Sequence, residues 1–315
     1  MLVITIDELT KDHIDTITLS NPMMEIYFEP DLLISSLPLD KVEIILTYGF
    51  DITKELLDKL PSLKWIQVFQ TGVEHLPLQE LDNRNITLTN VSGIYGNAIS
   101  EYVMSIILYY IKELPRFIEN KKSHTWDRTI LPEEANEKKL LILGAGIIGK
   151  AVAEKAKAFG MYVIGVNSSG ESRPYFDEMY ALSEMDEVLC RSDVVVSLLP
   201  VTNETYQCIG KVQFSLMKDS AYFINVGRGE LIDEDALIES LKSKGLRGAA
   251  LDVFQQEPLP EDHPFWEVEN LIITPHLSGK TVYFYKRCID IFLENLNRYQ
   301  NKKQLAFSIN LKKGY

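Results

Sequence analysis

Leu140-Leu141-Ile142-Leu143-Gly144-Ala145-Gly146-Ile147-Ile148-Gly149 joins a short apolar run to a three-glycine turn and the start of a helical repeat. Residues 140–143 suit a strand covered on both faces, and apolar residues continue at helical spacing over 149–159. The glycine spacing at that junction has a mechanical reading. The first glycine permits a tight turn, the second lets a pyrophosphate approach the backbone, and the third lets the helix pack on the strand. The helix N-terminus would then aim N–H groups and the positive end of its dipole at the phosphates. Gly144, Ala145, Gly146, Ile147, Ile148 and Gly149 are therefore predicted cofactor contacts. The spacing alone also fits an ordinary tight βα turn; the strand before it and the helix after it make the dinucleotide reading specific.

Beyond this unit the same alternation continues. Runs at 162–166, 194–198, 222–225, 249–251 and 271–274 read as buried strands, with helical periodicity at 233–243 between two of them. The pattern predicts an α/β fold with a doubly wound parallel sheet. Upstream, 2–6, 42–47, 65–69 and 86–89 read as strands of a smaller parallel α/β unit. Between them residues 53–60 have helical spacing, with Thr53 as cap and Pro61 as stop. One long helix is predicted from 97 to 121. Its apolar residues cover most of the circumference, which suits either an internal core or a subunit interface. A last amphipathic helix spans 281–299.

The chain has 315 residues, enough for two domains. A formal net charge of −13 argues against nucleic acid or an anionic membrane as partner. Cys190, Cys208 and Cys288 lack metal-type spacing and read as small buried residues of a reducing, cytoplasmic compartment, with no metal site. The opening apolar run is too short for a signal-peptide core. The most apolar stretch, 99–111, carries Glu101 and falls short of the ~20 residues a membrane span needs.

At the end of the strand after the glycine turn, NAD-binding proteins usually carry Asp or Glu for the ribose 2′-hydroxyl. This chain has Asn167-Ser168-Ser169-Gly170 there. Asn167 removes the repulsion a carboxylate would exert on a 2′-phosphate. Ser168 and Ser169 can donate to it, and Arg173 can add charge if the loop folds back. NADP is therefore the preferred cofactor, with NAD held through Asn167 and water as the alternative. Polar residues also follow the later strands: Pro200, Arg228, Asp252 and His276. Ligands of open α/β sheets bind outside the carboxyl ends of the strands, so these should face one crevice. Arg228 can grip a substrate carboxylate and polarise a carbonyl. His276 can exchange the proton of a carbinol oxygen during hydride transfer, and Glu257 can orient it. Each also has a plainer reading, as a surface arginine, a loop glutamate and a satisfied histidine. His13, His75, His124 and His263 lack the strand-end setting.

Five segments, in order along the chain, resemble the D-isomer-specific 2-hydroxyacid dehydrogenases: Gly72-Val73-Glu74-His75-Leu76, Leu199-Pro200-Val201-Thr202-Asn203-Glu204-Thr205, Asn225-Val226-Gly227-Arg228-Gly229, Leu251-Asp252-Val253-Phe254 through Glu257-Pro258-Leu259, and Thr274-Pro275-His276-Leu277-Ser278-Gly279. The resemblance implies reduction of a small 2-keto acid by NAD(P)H. It gives Arg228 to the substrate carboxylate and carbonyl, His276 to acid–base work, Glu257 to its support, and the backbone of Gly72 and Val73 to the substrate. Leu199, Pro200, Thr205, Val226, Gly227, Asp252 and Ser278 would line the cofactor site. It implies two Rossmann-like domains: a flavodoxin-like, discontinuous substrate domain of residues 1–96 and 281–315, and a dinucleotide-binding domain of residues 97–280. The long helix would build a homodimer. Glu257 stands where formate dehydrogenases carry Gln, and the chain lacks the extension of longer phosphoglycerate dehydrogenases. Tyr283, Tyr285 and Arg287 resemble the glyoxylate/hydroxypyruvate reductase branch. Some relatives are corepressors that sense dinucleotides, so a binding protein with little turnover is the alternative.

Overall fold

In the computed structural model, which describes residues 1–73 and 75–312, the chain forms two compact units. Glu74 of the Gly72–Leu76 segment lies outside the described residues. The first unit comprises Met1–Ile94 and the segment from Thr281. It contains β1 (Leu2–Ile4), α1 (Lys11–Ser20), β2 (Ile26–Phe28), β3 (Ile44–Thr47), α2 (Lys54–Asp58), β4 (Trp65–Val68), α3 (Leu78–Asn83) and β5 (Thr87–Thr89). Its strands are all parallel in the order β2-β1-β3-β4-β5, the flavodoxin-like arrangement. Thr53 caps α2 as the sequence predicts, accepting from Leu56 N at 3.2 Å. β2 was not foreseen: its three residues are half-buried or exposed, so no buried apolar run marks it.

The second unit, Tyr95–Lys280, holds the larger sheet. It runs α4 (Tyr95–Ile111), α5 (Leu114–Lys122), β6 (Lys139–Leu143), α6 (Ile147–Ala158), β7 (Tyr162–Asn167), β8 (Glu178–Ala181), α7 (Met185–Leu189), β9 (Val194–Ser197), α8 (Lys211–Leu216), β10 (Tyr222–Asn225), α9 (Glu234–Lys242), β11 (Gly248–Leu251) and β12 (Leu271–Ile273). The order β12-β11-β10-β9-β6-β7-β8 is the doubly wound pattern, with its reversal between β6 and β9. Side chains alternate across this sheet. Leu141, Leu143, Val195, Phe223, Ala249 and Leu251 join one core with residues of α7, α8 and α9. Leu140, Ile142, Val194, Val196, Ile224 and Ala250 join the other with α4 and α6. That is why these strands read as unbroken apolar runs. The chain then returns to the first unit through α10 (Phe284–Gln300). There Phe292 and Tyr299 stack on Trp65 at 5.5 and 5.4 Å. Buried Asn295 donates to Gln67 Oε1 at 3.1 Å and to Ala306 O at 3.0 Å.

The single helix predicted over 97–121 is two helices. Pro115 has no N–H, and its ring excludes the carbonyl four residues back, that of Ile111. That carbonyl accepts from Glu133 N at 3.0 Å instead. Glu113 takes a left-handed φ of +55° at the break, and its carboxylate meets Arg247. Arg247 also donates to Glu133 at 2.9 Å and lies over the Tyr222 ring. Most of the apolar surface of α4 is buried against its own sheet, so its circumference is accounted for without a partner. The exposed apolar side chains instead follow it: Phe117, Ile118, Trp126 and Leu131. No helix among the described residues is long and apolar enough to cross a membrane.

β8, also unforeseen, is the edge strand of the larger sheet, and its four residues are all half-buried. Its anchor is Glu178, which accepts from Arg191 and Tyr162 at 2.7 Å and from Tyr180 at 2.6 Å. These donors, Arg191 first, lower its pKa from 4.5 to about 2. A depressed carboxylate pKa stabilises the fold above the unfolded value, and that contribution fades as pH falls through the folded one. Glu178→Gln should therefore lower the urea midpoint near neutral pH. The gap from wild type should close between pH 4.5 and about 2.

Candidate active site

Parallel pairing aligns Leu143, Ser197, Asn225, Leu251 and Ile273 across the second unit's sheet. The residues that follow them therefore emerge along one edge. After β6, Gly144 turns with φ +107°, and its N–H and that of Ala145 both donate to Val166 O, at 2.9 and 3.0 Å. The glycines divide the work sterically. A Cβ at Gly144 would lie 2.8 Å from the Leu198 carbonyl carbon, and one at Gly149 would lie 2.2 Å from Gly144 O. A Cβ at Gly146 would meet nothing within 4 Å. The turn is thus pressed between β9 and α6 yet open at its middle glycine. No side chain caps the N-terminus of α6 there.

Neighbouring loops complete this edge. Thr205, buried, donates to Pro200 O at 2.6 Å and accepts from Thr202 N at 2.8 Å, which fixes the loop after Leu199. At Gly227 an added Cβ would lie 3.0 Å from Leu199 O, so the turn after Val226 packs directly on that loop. After β7, Asn167 Oδ1 accepts from Ser169 N at 2.9 Å and Gly170 N at 2.6 Å, and its amide donates to Glu171 O at 3.0 Å. Asn167 is thus spent on shaping its own loop. Ser168 and Ser169 are exposed beside it. Arg173 reaches Glu171 at 3.7 Å.

His276 and Glu257 come together across 19 residues, with Nδ1 2.8 Å from Oε2. The other Glu257 oxygen accepts from Phe254 N at 3.0 Å. A carboxylate accepts, so the proton of the first bond sits on Nδ1 and Nε2 is left for a ligand. Both side chains are partly exposed. His276 holds a φ of +50°, unusual for a residue with a side chain. Buried Asp252 secures that loop, accepting from Leu277 N at 3.0 Å, Ser278 N at 2.9 Å and Thr274 Oγ1 at 2.6 Å. Arg228 is exposed, and its guanidinium donates to Gly227 O at 2.9 Å. Asn225 brackets its turn, donating to Arg228 O at 2.9 Å and accepting from Gly227 N at 3.1 Å. A Cβ at Gly229 would fall 1.9 Å from the Phe254 carbonyl carbon, so the Arg228 turn rests on the backbone that holds Glu257.

The sequence reading had no signal for Asn225, Thr274 or Tyr102 as supporting residues, because their bonds depend on which loops meet. In the first unit, Val73 is buried and accepts from Leu76 N at 3.1 Å. Nearby, Gln70 donates to Tyr48 O and lies 2.9 Å from His75 Nε2, while Phe50 stacks on His75. Tyr285 meets Tyr48, with their hydroxyls 3.0 Å apart.

A family model described as D-isomer specific 2-hydroxyacid dehydrogenase, NAD binding domain, matches residues 104–278. A glyoxylate reductase from Thermofilum pendens is 30% identical over 264 residues, which cover 82% of this chain and 78% of that one. Among solved structures, a D-isomer specific 2-hydroxyacid dehydrogenase family protein from Aeromonas salmonicida is 34% identical, covers 98% of both chains and superposes with a TM-score of 0.87. An NADPH-dependent glyoxylate/hydroxypyruvate reductase from Sinorhizobium meliloti, solved with NADP and sulfate, is 25% identical. That match covers 100% of this chain and 99% of the other, with a TM-score of 0.84.

The unequal room at two glycines gives a direct test. Gly149→Ala forces a methyl into the Gly144 carbonyl and should cost about 1–3 kcal/mol in urea unfolding. Gly146→Ala, with open space around it, should cost less, about 0.5–1 kcal/mol for the less favoured N-cap residue.

Proposed function

Because this chain belongs to the D-isomer-specific 2-hydroxyacid dehydrogenase family and is an NAD(P)-dependent oxidoreductase, we propose that it reduces a small 2-keto acid, glyoxylate or hydroxypyruvate foremost, to the D-2-hydroxy acid with NADPH. The observation that carries this reading is the 2.8 Å pair of His276 and Glu257 on the same sheet edge as the glycine turn. The named substrates of the relatives from Thermofilum pendens and Sinorhizobium meliloti support the choice of keto acid.

The turn fits a dinucleotide, since the one glycine with open space is the one a pyrophosphate would approach. Gly144 to Gly149, with the loops of Leu199, Pro200, Thr205, Val226, Gly227, Asp252 and Ser278, would hold it, and the second unit would be the cofactor domain. When bound, the nicotinamide supplies hydride to the keto carbon. His276 Nε2 would give a proton to the oxygen as that carbon is reduced. Glu257, bonded to Nδ1, would keep the imidazole oriented with Nε2 toward the substrate. Arg228 would turn from the Gly227 carbonyl to the substrate carboxylate and carbonyl. The first unit, which carries Gly72 and Val73, would be the substrate domain. The exposed apolar residues of α5 and the segment after it, Phe117, Ile118, Trp126 and Leu131, support a homodimer.

NADPH is the preferred cofactor on two grounds. Asn167 places no carboxylate against a 2′-phosphate, and its loop leaves the Ser168 and Ser169 hydroxyls exposed beside it. Arg173 would add charge by exchanging Glu171 for the phosphate.

His276→Ala should lower kcat about 10²–10⁴-fold, the usual loss of one general acid, while dinucleotide binding persists. Turnover close to wild type would remove His276 from the mechanism. Wild-type kcat/KM should be higher with NADPH than with NADH. Asn167→Asp should reverse that order by repelling the 2′-phosphate and accepting from a 2′-hydroxyl. A wild-type preference for NADH would overturn the cofactor assignment.

A further inference from the structure

Two residues before His276, Thr274 meets a half-buried group that the scheme above does not use. On α4, the Tyr102 hydroxyl lies 2.8 Å from Thr274 Oγ1. Thr274 Oγ1 donates to Asp252 Oδ1 at 2.6 Å. A threonine hydroxyl carries one proton. With that proton committed to the carboxylate, the hydrogen between Tyr102 and Thr274 belongs to the phenol, so Tyr102 is the donor. Burial raises the phenol's pKa above its ordinary range, which keeps the donor in place.

The end of this relay is fastened to the histidine loop on every side. Asp252 is 1% exposed, and its carboxylate takes Thr274, Leu277 N and Ser278 N. Its own carbonyl accepts from His276 N at 2.8 Å. Each of these bonds holds His276 itself or a residue within two positions of it. The left-handed backbone at His276 is unfavourable for a side-chain-bearing residue, so the loop needs holding from outside.

We propose that Tyr102 is a positioning residue for His276. By donating to Thr274 it directs the Thr274 hydroxyl onto Asp252, which holds the loop in the shape that sets the imidazole on Glu257. The proposal rests on His276 being the proton-exchanging group. Without the phenol hydroxyl, Thr274 can rotate away, Asp252 loses an oriented partner, and the loop spends less time with His276 paired. Glu257 is the titratable side chain bonded to the imidazole. Less frequent pairing should therefore lower the imidazole's occupancy of the working position.

The test compares Tyr102→Phe, Thr274→Val, Thr274→Ser and the Tyr102→Phe/Thr274→Val double variant in the full chain, with His276→Ala alongside. Turnover of glyoxylate or hydroxypyruvate, whichever is faster, is followed with NADPH across pH 5–9. Tyr102→Phe keeps the ring. It should lose roughly 5–10-fold in kcat, the size of one hydrogen bond, with KM for NADPH nearly unchanged. Thr274→Ser should retain most activity, and the double variant should be no worse than Thr274→Val, because both substitutions break one relay. Wild-type kcat in Tyr102→Phe, with His276→Ala inactive, would overturn the relay and leave the role of His276 intact. Losses that multiply in the double variant would overturn it too, by showing that Tyr102 acts apart from Thr274. An active His276→Ala enzyme would remove both readings together.

Discussion

Parallel pairing fixes the stagger between strands, because each residue's N–H and C=O bond to residues on either side of its partner. In the second unit this constraint brings β6, β9, β10, β11 and β12 to an end on a single row. The polar loops of interest in that unit follow the ends of these strands. The glycine turn follows β6, the Thr205 loop follows β9, the Arg228 turn follows β10, Asp252 follows β11 and His276 follows β12. A slip of one residue at any strand would exchange its two faces and break the separation of the two cores. The reactive edge and the packing of the sheet therefore depend on the same register.

Rigidity at this edge comes largely from backbone contact. Gly149 lies against the Gly144 carbonyl, Gly227 against the Leu199 carbonyl, and Gly229 against the Phe254 backbone. These approaches are too close for a side chain, so each loop is seated on the next without rotatable bonds between them. Buried polar side chains then tie the loops internally. Asn225 does so for the Arg228 turn, Thr205 for the loop after β9, and Asp252 for the loop of His276. Buried amides and carboxylates are costly unless satisfied, which makes such networks specific to one loop geometry. Asn167 works in the same way at the end of β7, where it holds its own loop without a charge.

The first unit obeys the same logic with different means. Its sheet ends at β5, and α10 arrives from the far end of the chain to cover Trp65. Asn295 joins that helix to Gln67 on β4 and to the segment at Ala306. A polar anchor of this kind selects one seating of an amphipathic helix that apolar packing alone would leave degenerate.

Much of this was legible without coordinates, for a physical reason. Strands buried on both faces must be apolar throughout, and a βα turn that admits a phosphate must have glycine where a Cβ would collide. Composition and spacing therefore determined the α/β class, the position of the glycine turn and the strand-end placement of Arg228, Asp252 and His276. Strands that are half-buried or exposed left no such mark. β2 and β8 were invisible for that reason, and the break at Glu113, which Pro115 signals, was masked by helical spacing on both sides of it. Tertiary structure alone decided which side chains meet. Glu257 reaches His276, Tyr102 reaches Thr274 over 172 residues, and Asn167 turns inward to its own loop. Such bonds depend on where loops cross in space, and a linear pattern carries no record of distances between residues that only folding brings together.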